Sequence, residues 1–234
     1  MLQALIWDVD GTIAETERDG HRVAFNQAFE AMNLPWRWGV TEYGALLQVT
    51  GGRERLLHDM QTRPDAPNDD AARMALAREL HRRKNDAYAA IVARGALPAR
   101  PGVMRLVSEC AAAGVMNAVA TTTSGSNVGA LFTSLWGANW QQLFAVVVCA
   151  EDAPLKKPDP QAYLLALQRL GLAAHEAFAL EDSPHGLQAA RGAGLRCGVT
   201  RGAYFRRQVF DGAAWARDDL DSTPPVSLAQ LQHA

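Results

Sequence analysis

Four apolar segments of this chain run into acids or hydroxyls, and their spacing constrains the fold more than any other feature. The first, over residues 2–7, ends on Asp8-Val9-Asp10-Gly11-Thr12. Residues 115–125 (VMNAVATTTSG), 144–152 (FAVVVCAED) and 177–186 (AFALEDSPHG) repeat the arrangement. Short, nearly continuous apolar runs of this kind read as strands buried on both faces. Between them lie helical patterns at 101–114, 126–135 and 159–171, each running into a glycine or polar turn suited to a helix stop. Strand and helix in alternation predict an α/β fold, a doubly wound parallel sheet with helices on both faces. Ligands of such sheets bind at the carboxyl edge of the strands, where all four of these polar ends fall.

From Thr16 to Gly95 the character changes. Residues 22–33 and 71–95 are helical in pattern and nothing between 16 and 95 resembles a buried strand, so a helical bundle is expected as an insertion after the first strand. The stretch 62–72 is expected as a loop inside it, and 96–102 returns the chain to the sheet. The expected domains are therefore a discontinuous core, 1–15 with 96–234, and a cap over 16–95. A chain of 234 residues, at about 150 residues per domain, accommodates one core with such an insertion. The tail 221–234 carries a break at Thr223-Pro224-Pro225 and a short final helix.

Composition narrows the partners. With 48% hydrophobic and 21% charged residues, the chain is neither disordered nor fibrous. Its 23 basic and 25 acidic residues nearly cancel, so no uniform field invites nucleic acid or an anionic membrane. No apolar run approaches the roughly 18 residues of a membrane span. Cys110, Cys149 and Cys197 are odd in number and set among apolar residues, as buried thiols in a reducing compartment would be. The opening lacks the basic, long apolar and small-residue regions of a signal peptide, and a cytoplasmic location is expected.

Each polar strand end taken singly has a plain structural reading. Asp8 and Asp10 could cap a turn, and Thr121, with Thr122 and Thr123 leading into a helix, could be an N-cap as readily as a phosphate cradle. Lys157, before a proline-started helix, could be a solvated surface lysine. Glu181-Asp182 could cap or could bind a metal. Their order is what points to one site: acids, hydroxyl, lysine and acids at four successive strand ends.

The set resembles the haloacid dehalogenase superfamily of phosphohydrolases, in the subgroup with a helical cap inserted after the first motif, and the match covers nearly the whole chain. The segments TGGRERL (50–56), RRKNDAY (82–88), PWRW (35–38) and the TTTS after the second strand are most similar to the xylulose-1,5-bisphosphate phosphatases encoded beside Calvin-cycle genes. β-Phosphoglucomutases are close cousins that share the RKN of the cap. The resemblance implies Asp8 as a nucleophile that becomes an aspartyl phosphate and Asp10 as the acid and then the base. It implies a Mg²⁺ held by Asp8, the backbone carbonyl of Asp10 and Asp182, with Glu181 alongside. Thr121 and Lys157 would bind the transferring phosphoryl group, with Thr122 and Thr123 beside them.

On the substrate side the resemblance implies Glu17, His21, Arg53 and Lys84, with Arg55 as the alternative to Arg53. Read without it, such charged residues are the wetted face of amphipathic helices. The implied partner is a small sugar phosphate, xylulose 1,5-bisphosphate or a similar bisphosphate, with a sugar phosphomutase or a phosphoglycolate phosphatase as alternatives. No nucleic acid or membrane partner is expected, and a monomer is. Two positions depart from the pattern: Ser124-Gly125 stands where the mutase has Lys-Asn, and Gln161 where relatives commonly have an acid.

Overall fold

The computed structural model describes residues 1–233. The chain divides into two compact units, Met1–Glu15 with Pro98 onward, and Thr16–Leu97. The return falls at Pro98 rather than at residue 96 because Leu97 is buried beside Gly20 in the helical unit.

The helical unit opens with a π-helical turn, Glu17–His21, that runs directly into α1 (Arg22–Ala31). Then come α2 (Val40–Leu46), α3 (Gly52–Met60) and α4 (Asp70–Ala93), with α1 packed along α4. Asn33 takes the left-handed conformation, φ 55°, just past the end of α1, a position where asparagine is better tolerated than most residues. α4 starts inside the stretch expected as a loop, because the Asp69 carboxylate accepts hydrogen bonds from the amides of Ala71 and Ala72 and caps the helix there. The PWRW stretch builds this unit's core. The ring of Trp38 packs edge-to-face against Phe25 and Phe29 at centroid distances of 4.8 and 5.0 Å. Its indole N–H donates to Asp59 at 2.9 Å, so the buried polar tip is satisfied.

The other unit is a six-stranded, wholly parallel sheet of β1 (Ala4–Trp7), β2 (Met116–Ala120), β3 (Phe144–Val148), β4 (Ala177–Glu181), β5 (Arg196–Thr200) and β6 (Trp215–Arg217), in the order β3-β2-β1-β4-β5-β6. Two strands went unread in the sequence. β5 is interrupted by an arginine and a glycine, and β6 is only 3 residues long and half-buried. The flanking helices are α5 (Val103–Ala112), α6 (Gly125–Trp136), α7 (Gln161–Leu170), α8 (Pro184–Gly192) and the terminal α9 (Leu228–His233). No helix among the described residues is long and apolar enough to cross a membrane.

β1 lies at the centre, with Trp7 level with Val119 on one side and Leu180 on the other. The residues that follow, Asp8 and Glu181, therefore leave their strands together at one edge. Alanines at Ala118, Ala120, Ala177 and Ala179 face alanines of α7 and α8 within the core, so the helices come close to the strands. A relay of hydrogen bonds ties α5 to this centre: the Trp7 indole N–H donates to Asn117 Oδ1 at 3.0 Å, and the Asn117 amide donates to the Val107 carbonyl at 3.1 Å. Both side chains are buried, and an orphaned donor there costs about 1–3 kcal/mol. Asn117→Ala should therefore lower stability by about that amount, read from the denaturant midpoint. In a Trp7→Phe background the same substitution should cost less, since no indole donor is left stranded.

Candidate active site

The carboxyl ends of β1 and β4 and the segment between β3 and α7 bring the expected acids and lysine into one buried cluster. Asp8 follows β1, with its N–H bonded to the Leu180 carbonyl at 3.0 Å. Its Oδ1 accepts from Lys157 Nζ at 2.7 Å and its Oδ2 from the Thr12 hydroxyl at 3.1 Å. Lys157 is not the solvated lysine of its plain reading. It is 5% exposed, and its ammonium also donates to the Ala120 carbonyl at 2.8 Å and to Glu181 Oε1 at 2.6 Å. The Tyr163 hydroxyl, from α7, donates to the same Glu181 oxygen at 2.5 Å, and its ring lies 4.9 Å from the Lys157 ammonium. Carboxylate oxygens of Asp8, Glu181 and Asp182 all lie within 4.8 Å of one another. Asp182 has room only because glycines flank it. A Cβ on Gly11, which has φ 88°, would stand 2.0 Å from Asp182 Oδ2, and one on Gly202 would stand 2.2 Å from it.

Of these three buried acids, Asp8 and Glu181 are bonded to the Lys157 ammonium. Burial is the main cause that raises the Asp8 carboxyl to about 7, Glu181 adds to it, and Lys157 opposes. Asp182 is pushed well above the usual carboxylate range, again by burial and then by Asp8 and Glu181. Burial alone would lower the Lys157 pKa, yet Asp8 and Glu181 outweigh it, and the ammonium is held charged. The donor set is all oxygen and carries surplus negative charge, which fits a small hard divalent cation such as Mg²⁺. Within the set Glu181 is the most committed, since its Oε1 serves Lys157 and Tyr163 and its Oε2 accepts from the Asp182 amide at 3.2 Å. The side chain of Asp10 is not one of the three that converge, which leaves its backbone carbonyl as the implied ligand atom.

At the end of β2, Thr121 is buried and its Oγ1 accepts from the Thr123 amide at 3.2 Å, so its own hydroxyl proton is a donor. The Thr123 oxygen turns instead to the Asn127 amide of α6, 3.3 Å away. Thr122, between them, is half-buried. The first turn of α6 holds an acid already: Gly125 N–H donates to Glu151 at 3.0 Å, beside the departure at Ser124-Gly125. Gln161, the other departure, uses its side-chain oxygen to accept from the Leu155 amide at 2.8 Å.

In the helical unit, the wetted-face reading fails for His21 and Lys84. His21 is buried and stacked on Tyr88 at 4.3 Å, and Lys84, 3% exposed, has its ammonium over the rings of Phe25 and Tyr88 at 5.3 and 5.4 Å. Arg53 does lie on the surface, paired with Glu54 at 3.5 Å. Arg55 is the one built into the interior: it donates to the Tyr43 hydroxyl at 2.7 Å, and that hydroxyl donates to Glu17 at 2.6 Å. Sequence reasoning missed Tyr163, Arg100 and His81. Only Tyr163 carried a signal, as a buried-face aromatic early in the helix that follows Lys157.

A profile of the family described as haloacid dehalogenase-like hydrolase matches residues 2–194. The chain belongs to the haloacid dehalogenase-like hydrolases. It is a phosphatase of that family. Protein CbbY of Cereibacter sphaeroides is 41% identical over 236 residues, which cover 97% of this chain and 100% of that protein. The crystal structure of CbbY from Rhodobacter sphaeroides in complex with phosphate superposes with a TM-score of 0.91 at 40% identity over 99% of each chain. A mutant of that CbbY, in complex with xylulose-(1,5)bisphosphate, also gives 0.91 at 40% identity and the same coverage.

His81, in α4, gives the helical unit a pH signature. Burial, and then the charge of Lys84, lower its pKa from 6.5 to about 4. The unfolded chain therefore takes up a proton near pH 6.5 that the folded chain refuses until about pH 4. This contribution is complete above pH 6.5 and is lost as the pH falls towards 4. Thermal unfolding between those values should show the loss in the parent protein and a flatter profile in His81→Gln.

Proposed function

We propose that the chain is a Mg²⁺-dependent sugar bisphosphate phosphatase that works through an aspartyl phosphate on Asp8, with xylulose 1,5-bisphosphate as its substrate. The observation that carries this reading is the convergence of Asp8, Glu181 and Asp182 at one sheet edge, with Lys157 bonded to the first two. The near-full-length likeness to a protein crystallised with xylulose 1,5-bisphosphate supports the choice of sugar.

Asp8 and Asp182, with the carbonyl of Asp10 and with Glu181 alongside, would hold the metal. Bound there, Mg²⁺ would offset the repulsion between the acids and the incoming phosphate and keep Asp8 ionised. An Asp8 carboxylate oxygen attacks phosphorus as the bond from phosphorus to the sugar oxygen breaks, and Asp10 gives that oxygen its proton. Water then attacks the phosphorus of the aspartyl phosphate, Asp10 takes its proton, and phosphate leaves with Asp8 restored. Lys157 and the Thr121 hydroxyl bind the phosphoryl oxygens, and Lys157 also keeps Asp8 in place. Tyr163 acts one step further out, by fixing the Glu181 oxygen to which Lys157 is bonded. The amide of Thr122 adds a donor, whereas Thr123 serves the start of α6. In the helical unit, Lys84 and His21 are assigned to selection for a substrate with a second phosphate, and Glu17 and Arg55 to holding that region in shape.

Release of inorganic phosphate from xylulose 1,5-bisphosphate should require Mg²⁺, stop with chelator, and fall to background in Asp8→Asn. A panel including phosphoglycolate, ribulose bisphosphate and glucose phosphates should rank the xylulose compound first. Another compound far ahead would overturn the substrate, and isomerised sugar phosphate with little free phosphate would overturn the hydrolysis. Lys84→Ala should narrow the preference for bisphosphates over monophosphates while sparing a small aryl phosphate. Equal loss on both would assign Lys84 to the fold.

A further inference from the structure

The loop between β1 and the helical unit is a tight turn, and regular sheet pairing does not fix it. The amides of Thr12 and Ile13 both donate to the Val9 carbonyl, at 3.3 and 2.9 Å, and Gly11 N–H donates to the Ala14 carbonyl at 2.8 Å. Asp10 lies inside this turn, so its side chain is aimed by whatever holds the peptides on either side. On its far side the turn meets the returning chain, where Ala14 forms a bridge with Ala99 and the Arg100 amide donates to the Ile13 carbonyl at 2.8 Å.

Arg100 itself is more than nine-tenths buried. Its Nη1 donates to the Gly11 carbonyl, in the second peptide after Asp10, and to the carbonyl and hydroxyl of Thr200 at 3.0 and 3.1 Å. Its Nη2 donates to the carbonyls of Arg201 and Asp218 at 2.9 and 2.6 Å. Nε lies 3.5 Å from Glu15, whose other oxygen accepts from the Ala203 amide at 3.2 Å. One planar fork thus joins the Asp10 turn to the ends of β5 and β6. A lysine has the charge but not the fork, and could not reach this set of acceptors at once. A staple that served stability alone could grip any part of the sheet. Gly11, Ile13 and Glu15, three of the groups Arg100 grips, lie within five residues of Asp10.

We propose that Arg100 is a positioning residue for proton transfer: by holding the Gly11 peptide and Glu15, it sets where Asp10 points towards the departing sugar oxygen. The proposal rests on Asp10 being the acid, as read above. Misplacement of a catalytic group by about 1 Å can cost on the order of 10²-fold in rate, and in the cleavage step that cost should appear only where the leaving group needs a proton. A sugar alkoxide needs one; nitrophenolate does not.

The experiment compares single-turnover cleavage of xylulose 1,5-bisphosphate and p-nitrophenyl phosphate, with Mg²⁺, in the parent protein, Asp10→Asn, Arg100→Met and Arg100→Lys. The ratio of the sugar rate to the aryl rate should fall by about 10²-fold in Arg100→Met and by less in Arg100→Lys, in the direction set by Asp10→Asn. If Asp10→Asn lowers both rates equally, the acid is another group and the reading beneath the proposal fails. If Asp10→Asn lowers the ratio but the Arg100 variants lower both rates equally, or leave the ratio at the parent value, Arg100 is a structural staple and the proposal is overturned. Should Arg100→Met fail to fold, Arg100→Lys, which keeps the charge, decides the matter.

Discussion

The buried contact between the Lys157 ammonium and the carboxylates of Asp8 and Glu181 is the constraint to which the sheet unit is fitted. Acids placed this close in a dry edge repel one another, and a buried ion pair often costs more in desolvation than its attraction returns. The cluster is therefore a local cost, set against a core of buried apolar residues on the same sheet. The Ala120 carbonyl accepts from Lys157 and the Tyr163 hydroxyl donates to Glu181, which orients the pair. Asp8 and Asp182 remain the members whose ionisation the surroundings oppose. A site built this way has its demand for positive charge set before any ligand arrives.

The same surroundings decide which groups stay out of the chemistry. Burial lifts the thiols of Cys110 and Cys149 to about 12, so both are protonated and inert as nucleophiles. Cys197, closer to the acids, is raised well above its ordinary value by burial and by Glu181. Tyr163 is raised likewise and remains a donor to Glu181.

Much of this was legible in the sequence, because strands buried on both faces and their polar ends are written as contiguous runs. β1, β2, β3 and β4, the helical insertion and the residues Asp8, Thr121, Lys157, Glu181 and Asp182 all followed from that. β5 and β6 did not, since Arg196 and Gly198 break one run and the other is a half-buried triplet. The surroundings of single charged side chains were equally hidden. His21 sits on Tyr88 and Lys84 on Phe25, rings remote in sequence, and Arg100 reaches carbonyls about 100 residues away. Periodicity reports which face of a helix is apolar, and it carries no information about a cation that is buried against that face.

Because the sheet is assembled from both sides of an insertion, the order of synthesis and the order of assembly run in opposite senses. Residues 16–97 form a contiguous unit whose contacts are available as soon as it leaves the ribosome, whereas β1 has no neighbour until β2 and β4 have been made. The central strand must wait, apolar and unpaired, while at least a hundred further residues emerge. Asp8 is made 149 residues ahead of the Lys157 that bonds it.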